Sequence, residues 1–158
     1  MDLSHWLDLV AAAARQLAAT VLDLPHAAFV RLPGTPSGER LRGIYLPLAN
    51  EHEALQLGVL AEPADCTQLA RWFLRLSPGE RFDDEDVVID TLAEFTRLLA
   101  VELDKRRPGQ LPLHPGVPLA VRGWAVPLGR VESVEGVLEV EDSLFWLVVM
   151  GTRHAAPP

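Results

Sequence analysis

The stretch that decides the fold runs from Asp83 to Lys105 and reads DDEDVVIDTLAEFTRLLAVELDK. Its large apolar residues recur at spacings of four, three, four and four, which places them on one side of an α-helix. These residues are Val88, Leu92, Phe95, Leu99 and Leu103. The pattern predicts one continuous amphipathic helix in which Leu92, Phe95 and Leu99 are buried.

The opposite side of this predicted helix carries the charged residues. At about 100° per residue, that side collects Asp83, Asp86, Asp90, Glu94, Arg97 and Asp104. We predict that Asp90 and Arg97 are exposed to solvent. Two interpretations stay open for this side of the helix. It is either a plain solvated face with a weak Glu94–Arg97 pair, or a docking or catalytic face for a protein partner.

The overall charge argues against two classes of partner. The 158 residues carry 14 basic and 22 acidic side chains, which gives a net charge of −8. Nucleic-acid binding has a basic patch as its footprint, and anionic membrane surfaces attract basic segments, so we expect neither partner. The N-terminal sequence lacks the basic start of a signal peptide. No apolar run reaches the roughly 18 residues of a membrane span, and we predict a cytoplasmic protein.

Conventional catalytic and metal-binding motifs are missing from the sequence. It contains no HxH, HExxH, P-loop or GxSxG pattern. The single cysteine, Cys66, is followed at helical spacing by Leu69, Ala70 and Phe73, which indicates a buried thiol rather than a nucleophile. We therefore predict that this chain binds no metal ion and no cofactor.

The remaining sequence predicts two more helices and six strands. One helix is expected over residues 3–22, and another begins at Pro63. Strands are expected over 27–32, 39–48, 54–61, 117–126, 131–140 and 143–151. Short turns join consecutive strands, so the sheet should be mostly antiparallel with the helices on one face. The prediction is a single α+β domain over residues 1–152 and a frayed tail over 153–158.

Four segments follow one another in an order that resembles a known family. They read LRGIYLPL, LQLGVLAEPADCTQLARWFL, DEDVVIDTLAEFTRLLA and PGVPLAVRGWAV. The third supplies Asp90 and Glu94 at the start of a D-x-x-x-E-x-x-N spacing, and Pro118 to Gly123 supplies a P-x-x-x-x-G spacing. Together these segments resemble the chemotaxis phosphatases typified by CheX and CheC, which implies a CheX-like fold.

The resemblance also implies a chemistry, the hydrolysis of an aspartyl phosphate on a response-regulator receiver domain. The phosphate and the Mg²⁺ ion would belong to the partner. A family glutamate, here Glu94, pairs with a partner lysine, and an asparagine carboxamide orients the attacking water. This sequence has Arg97 at the asparagine position, and Val101 where the family has a small residue. Arginine has donors only, so it cannot accept from water, although it could bind a phosphoryl group.

No other part of the sequence supplies the missing carboxamide. The one asparagine, Asn50, stands three positions after Pro47, so no E-x-x-N pattern exists. Glu53 and Gln56 have that spacing but fall in a predicted hairpin, and we interpret this as coincidence.

The sequence therefore predicts a CheX-like domain that binds a receiver domain without phosphatase activity. Its docking residues are Asp86, Asp90, Glu94 and Arg97, which we call the acidic stripe. An active phosphatase with a rearranged site and a scaffold or dimerisation domain with a merely solvated stripe both stay open. A homodimer through a sheet edge also stays open. The acidic hairpin that carries Glu132, Glu135, Glu139 and Glu141 offers such an edge, although its like charges would oppose pairing.

Overall fold

A computed structural model describes residues 2–31, 40–82, 84–123 and 131–152 of the chain. Within these ranges the helices are α1 (Leu3–Thr20), α2 (Pro63–Phe73) and α3 (Glu85–Lys105). The strands are β1 (Ala28–Arg31), β2 (Arg42–Ala49), β3 (Ala54–Ala61), β4 (His114–Pro115), β5 (Leu119–Arg122), β6 (Val131–Val140) and β7 (Ser143–Thr152). The predicted tail over 153–158 lies outside the described residues.

The strands form one antiparallel sheet in the order β1-β6-β7-β3-β2-β4. Strand β2 also pairs with β5, so two short strands share its outer edge. Strand β5 covers the stretch from Arg42 to Tyr45, and β4 covers Leu48 and Ala49. The α+β class and the mostly antiparallel sheet predicted from the sequence are confirmed.

The three helices pack together against one face of the sheet. Alternate residues of β2, such as Ile44 and Leu46, join helix residues in a single core, because successive strand side chains point to opposite faces. Helix α3 contributes Val88, Leu92, Phe95, Leu99 and Leu103, each at most 7% exposed. The predicted long helix and its buried side are therefore confirmed, with Asp83 outside the described residues.

The other face of the sheet carries a smaller apolar cluster. Its buried members are Leu41, Tyr45, Leu60, Val148 and Met150. Two glycines make room for it. A Cβ at Gly58 would lie 2.6 Å from Tyr45 Cε1, and a Cβ at Gly43 would press on the Val59 carbonyl oxygen and lie 2.8 Å from Leu60 Cα.

The two glycine sites give a first prediction. We expect Gly43→Ala to destabilise the fold by about 3 kcal/mol, and Gly58→Ala by about 1 kcal/mol. The added methyl group meets main-chain atoms at Gly43 but only an aromatic ring at Gly58, and a ring moves more easily than a hydrogen-bonded strand. Urea unfolding of both variants measures the difference. Equal losses would show that the close approach of β2 and β3 is not what requires Gly43.

Several boundaries differ from the sequence prediction. His114 and Pro115, which lie outside the six predicted strands, form β4 because the chain returns alongside the end of β2. The strand expected over 117–126 is shorter, since β5 spans Leu119–Arg122 and residues 124–126 lie outside the described residues. Helix α2 begins at Pro63, as the sequence predicted, and ends at Phe73.

The acidic hairpin, which the sequence left open as a sheet edge, is covered only in part: among the described residues, the half of β6 from Val131 to Glu135 has no partner strand on the side away from β7. Strand β6 lies between β7 and β1, and β1 pairs with the stretch from Gly136 to Glu139. Strand β1 is only four residues long, and its pairing with β6 could not be predicted from the sequence. A homodimer stays a prediction.

Candidate functional site

Helix α3 is a rigid support for the acidic stripe. The side chain of Asp84 caps its first turn by accepting from Asp86 N at 3.1 Å and Val87 N at 3.2 Å. The buried hydroxyls of Thr91 and Thr96 each donate to the carbonyl four residues earlier, at 2.7 Å. The cap satisfies main-chain N–H groups of the first turn, and the threonine bonds satisfy two hydroxyls on the packed side. The helix runs unbroken from Glu85 to Lys105 past the charged residues.

The four stripe residues are all exposed on one side of α3. Asp86, Asp90, Glu94 and Arg97 stand at spacings of four, four and three, as the sequence predicted. At a rise of about 1.5 Å per residue, they span roughly 16 Å. Val101 continues the same side one turn later and is 54% exposed. An exposed valine beside charged residues gives this face a contact point that is apolar.

The charges on the stripe are only weakly paired. Arg97 Nη1 lies 3.7 Å from Glu94 Oε2, and both side chains are 51% exposed. A pair of this length and exposure contributes little stability, so either side chain can turn to a partner at low cost. Asp90 and Glu94 lie one turn apart and repel each other mildly.

Asp104 does not belong to this face, which corrects the sequence prediction. Its carboxylate accepts from Leu113 N at 3.1 Å and from Arg107 Nη1 at 3.2 Å. The chain turns back after α3 and covers this side of its last turn. A helical wheel ignores the segment that follows the helix, and this is why the wheel put Asp104 with the stripe.

The only asparagine is fully used in a turn. Asn50 Oδ1 accepts from His52 N at 2.8 Å and Glu53 N at 2.9 Å, and its Nδ2 donates to the carbonyl of Leu111 at 3.1 Å. Gln56 lies on β3, with its side chain directed away from the helices, so Glu53 and Gln56 do not form a joint site. The stripe therefore has carboxylates and a guanidinium but no carboxamide.

Cys66 is a structural thiol, as predicted. Its Sγ donates to the carbonyl oxygens of Ala61 at 3.5 Å and Arg42 at 3.7 Å. Burial, with a smaller contribution from the charge of Asp65, raises the pKa of the Cys66 thiol to about 12. The thiolate is the nucleophilic form, so Cys66 is inert at neutral pH.

A buried arginine that the sequence did not reveal joins three parts of the chain. The side chain of Arg107 is 5% exposed and pairs with Glu53 at 2.5 Å and Asp104 at 3.2 Å. It donates to the carbonyl of Leu111, and its guanidinium carbon lies 4.6 Å from the centre of the Trp6 ring. Arg107 thereby ties α1 and the β2–β3 turn to the end of α3. The only sequence signal was its place after a long helix, where basic residues are common.

Two kinds of site are not found in the described part of the chain. No group of three or more His, Cys, Asp or Glu side chains there is arranged to hold a metal ion. Separately, none of the described helices combines the length and the apolar character needed to cross a membrane.

Solved structures with this arrangement of helices and strands include chemotaxis proteins and a domain of FliM. A chain of the CheX–CheY–BeF₃–Mg²⁺ complex from Borrelia burgdorferi aligns with a TM-score of 0.71 at 17% identity, covering 94% of this chain and 98% of that one. A CheC-like superfamily protein from Shewanella sp. PV-4 gives 0.69 at 11% identity, with 95% and 98% covered. The FliM middle domain from H. pylori gives 0.59 at 11% identity, with 94% and 88% covered.

These similarities define the class of the fold. No family model and no curated protein matches the sequence. The structural alignments nevertheless span nearly the whole chain, and the fold is that of the CheX and CheC-like chemotaxis proteins. The resemblance seen in the sequence is thereby confirmed at the level of the fold.

Proposed function

We propose that this chain binds a response-regulator receiver domain through the acidic stripe and does not dephosphorylate it. One observation carries the proposal. On a CheX-like fold, three carboxylates and one guanidinium stand together in solvent on a helix whose opposite side is buried. A rigid helix can present charges in a fixed pattern, which favours recognition of one partner over others.

The charges of the stripe suit a partner with a basic rim around an acidic centre. Glu94 can leave its long pair with Arg97 and accept from a partner lysine. Arg97 is then free to bind a carboxylate or a phosphoryl group through two parallel hydrogen bonds. Mg²⁺ would be held by the receiver domain, and the Borrelia complex contains Mg²⁺ together with CheY.

Direct titration of receiver domains tests the proposal. Purified receiver domains from the same genome are titrated into the chain by calorimetry, with and without beryllofluoride and Mg²⁺. We expect at least one receiver to bind with a defined stoichiometry and with an affinity that falls at high salt, because exposed charges are screened. If none binds in either state, the stripe is a solvated face and the proposal fails.

A separate prediction concerns catalysis. We expect no acceleration of phosphate release from a phosphorylated receiver, because the group at position 97 can donate but cannot accept from a water. The matched comparison is Arg97→Asn, which creates the E-x-x-N spacing on the same helix. Stopped-flow phosphate release measures both proteins. Robust turnover by the unmodified chain that Glu94→Ala abolishes would contradict the prediction and favour an active enzyme with a rearranged site.

A further inference from the structure

A cavity of about 360 Å³ lies between the first turns of α2 and α3 and the strands β2 and β5. Its apolar wall comes mainly from the helix side and includes Phe82, Val88, Ile89, Leu92 and Ala120. A volume of this size is at the lower end of the range for small-molecule sites, which are typically apolar with a few polar groups. The cavity lies away from the acidic stripe, on the other side of α3.

Two arginines stand side by side at this cavity. Arg42 and Arg122 are register partners on β2 and β5, and both line the cavity. Like charges directly opposite each other in an antiparallel pair are destabilising. Among the described residues, the one carboxylate within ion-pair distance of either is Glu85, 3.3 Å from Arg122, and that pair is 72% and 65% exposed.

The polar groups at the cavity leave the two guanidinium groups with spare donors. Among the residues that the structure describes, Arg42 donates from Nη1 to the carbonyl oxygens of Arg40 and Leu41, at 3.3 and 3.1 Å. The Cys66 thiol lines the cavity but is already bonded to main-chain carbonyls. Each guanidinium has five donors, so most of them remain available to an acceptor that enters the cavity.

We propose that this cavity binds an amphipathic organic anion, with its apolar body against α3 and its acid group between Arg42 and Arg122. Such a ligand would bury the apolar wall of the cavity away from water. Its negative charge would offset the repulsion between Arg42 and Arg122. The charge complementarity favours an anion over a neutral or cationic molecule of the same shape. The proposal does not depend on receiver binding.

The test uses decanoate as the probe, below its micelle concentration. Titration calorimetry on the full chain should give one site, and amide NMR shifts should concentrate on the residues that line the cavity. Decanol has the same apolar chain without the charge, and decyltrimethylammonium has the opposite charge. We expect both to bind at least about tenfold more weakly than decanoate, because each lacks the charge-assisted hydrogen bonds.

Two variants locate the site. Arg122→Gln should weaken decanoate binding about tenfold, whereas Arg31→Gln, which removes an arginine from an exposed pair with Asp8 away from the cavity, should not. Ala120→Phe should fill the cavity and abolish binding, with thermal melts as a check on folding. The proposal is overturned if decanoate does not bind, if decanol binds equally well, or if Arg122→Gln has no effect. Shifts at the cavity caused by a receiver domain but not by decanoate would likewise overturn it, in favour of a partner side chain.

Discussion

Replacing Arg107 with alanine is expected to lower the free energy of unfolding by about 3–5 kcal/mol. The guanidinium is 5% exposed and is shared between Glu53 and Asp104, which are themselves only 29% and 27% exposed. Without it, two partly buried carboxylates lose their counter-charge, and the stacking on Trp6 is lost as well. Removing one partner of a buried pair costs more than the pair contributes, because a charge is left without compensation.

Urea unfolding of Arg107→Ala measures this loss, with Lys105→Ala as the matched control. Lys105 is also a basic residue near the end of α3, but its side chain is 66% exposed, and it pairs with Glu102. Its removal should cost about 0.5 kcal/mol or less. Arg107→Lys should fall between the two, since it keeps the charge but loses the planar fork. A loss below about 1 kcal/mol for Arg107→Ala would show that the network does not hold the three segments together.

The second large effect is expected on partner affinity. The double variant Asp90→Lys/Glu94→Lys should weaken receiver binding by about 2 kcal/mol or more if these charges are desolvated in the complex. Both side chains are exposed and lie opposite the buried side of α3. Stability should therefore change by about 0.5 kcal/mol or less per site. Calorimetry on the complex and thermal melts of the free variant measure the two quantities.

A control with the same change of charge separates docking from a general field effect. Glu139→Lys/Asp142→Lys reverses two exposed carboxylates on β6 and the turn that follows it, away from α3. We expect this variant to bind the receiver nearly as well as the unmodified chain. If both double variants lose affinity equally, the effect is one of net charge. If neither does, the stripe is a solvated face.

Local patterns in the sequence were sufficient for the helix that carries the stripe. The apolar period over Val88 to Leu103 depends only on residues within one element, and so does the exposure of Asp90 and Arg97. The spans predicted for β3 and β6, 54–61 and 131–140, match the structure for the same reason. The alternation of apolar residues in a strand and their period in a helix indicate which side of the element is buried. They do not indicate which other segment covers that side.

The tertiary structure decided which distant residues meet. Arg107 lies 54 positions from Glu53, and Arg122 lies 37 positions from Glu85. No local pattern encodes those separations. The chain turns back after α3 and covers Asp104, which is therefore partly buried and bonded to Leu113 N and Arg107 instead of being exposed. Pairing with β1 covers β6 from Gly136 to Glu139, a contact that the sequence of β6 alone does not predict. The sequence around a charged residue does not show whether its side chain is exposed to solvent or paired with a distant residue. That depends on how other segments of the chain pack around it.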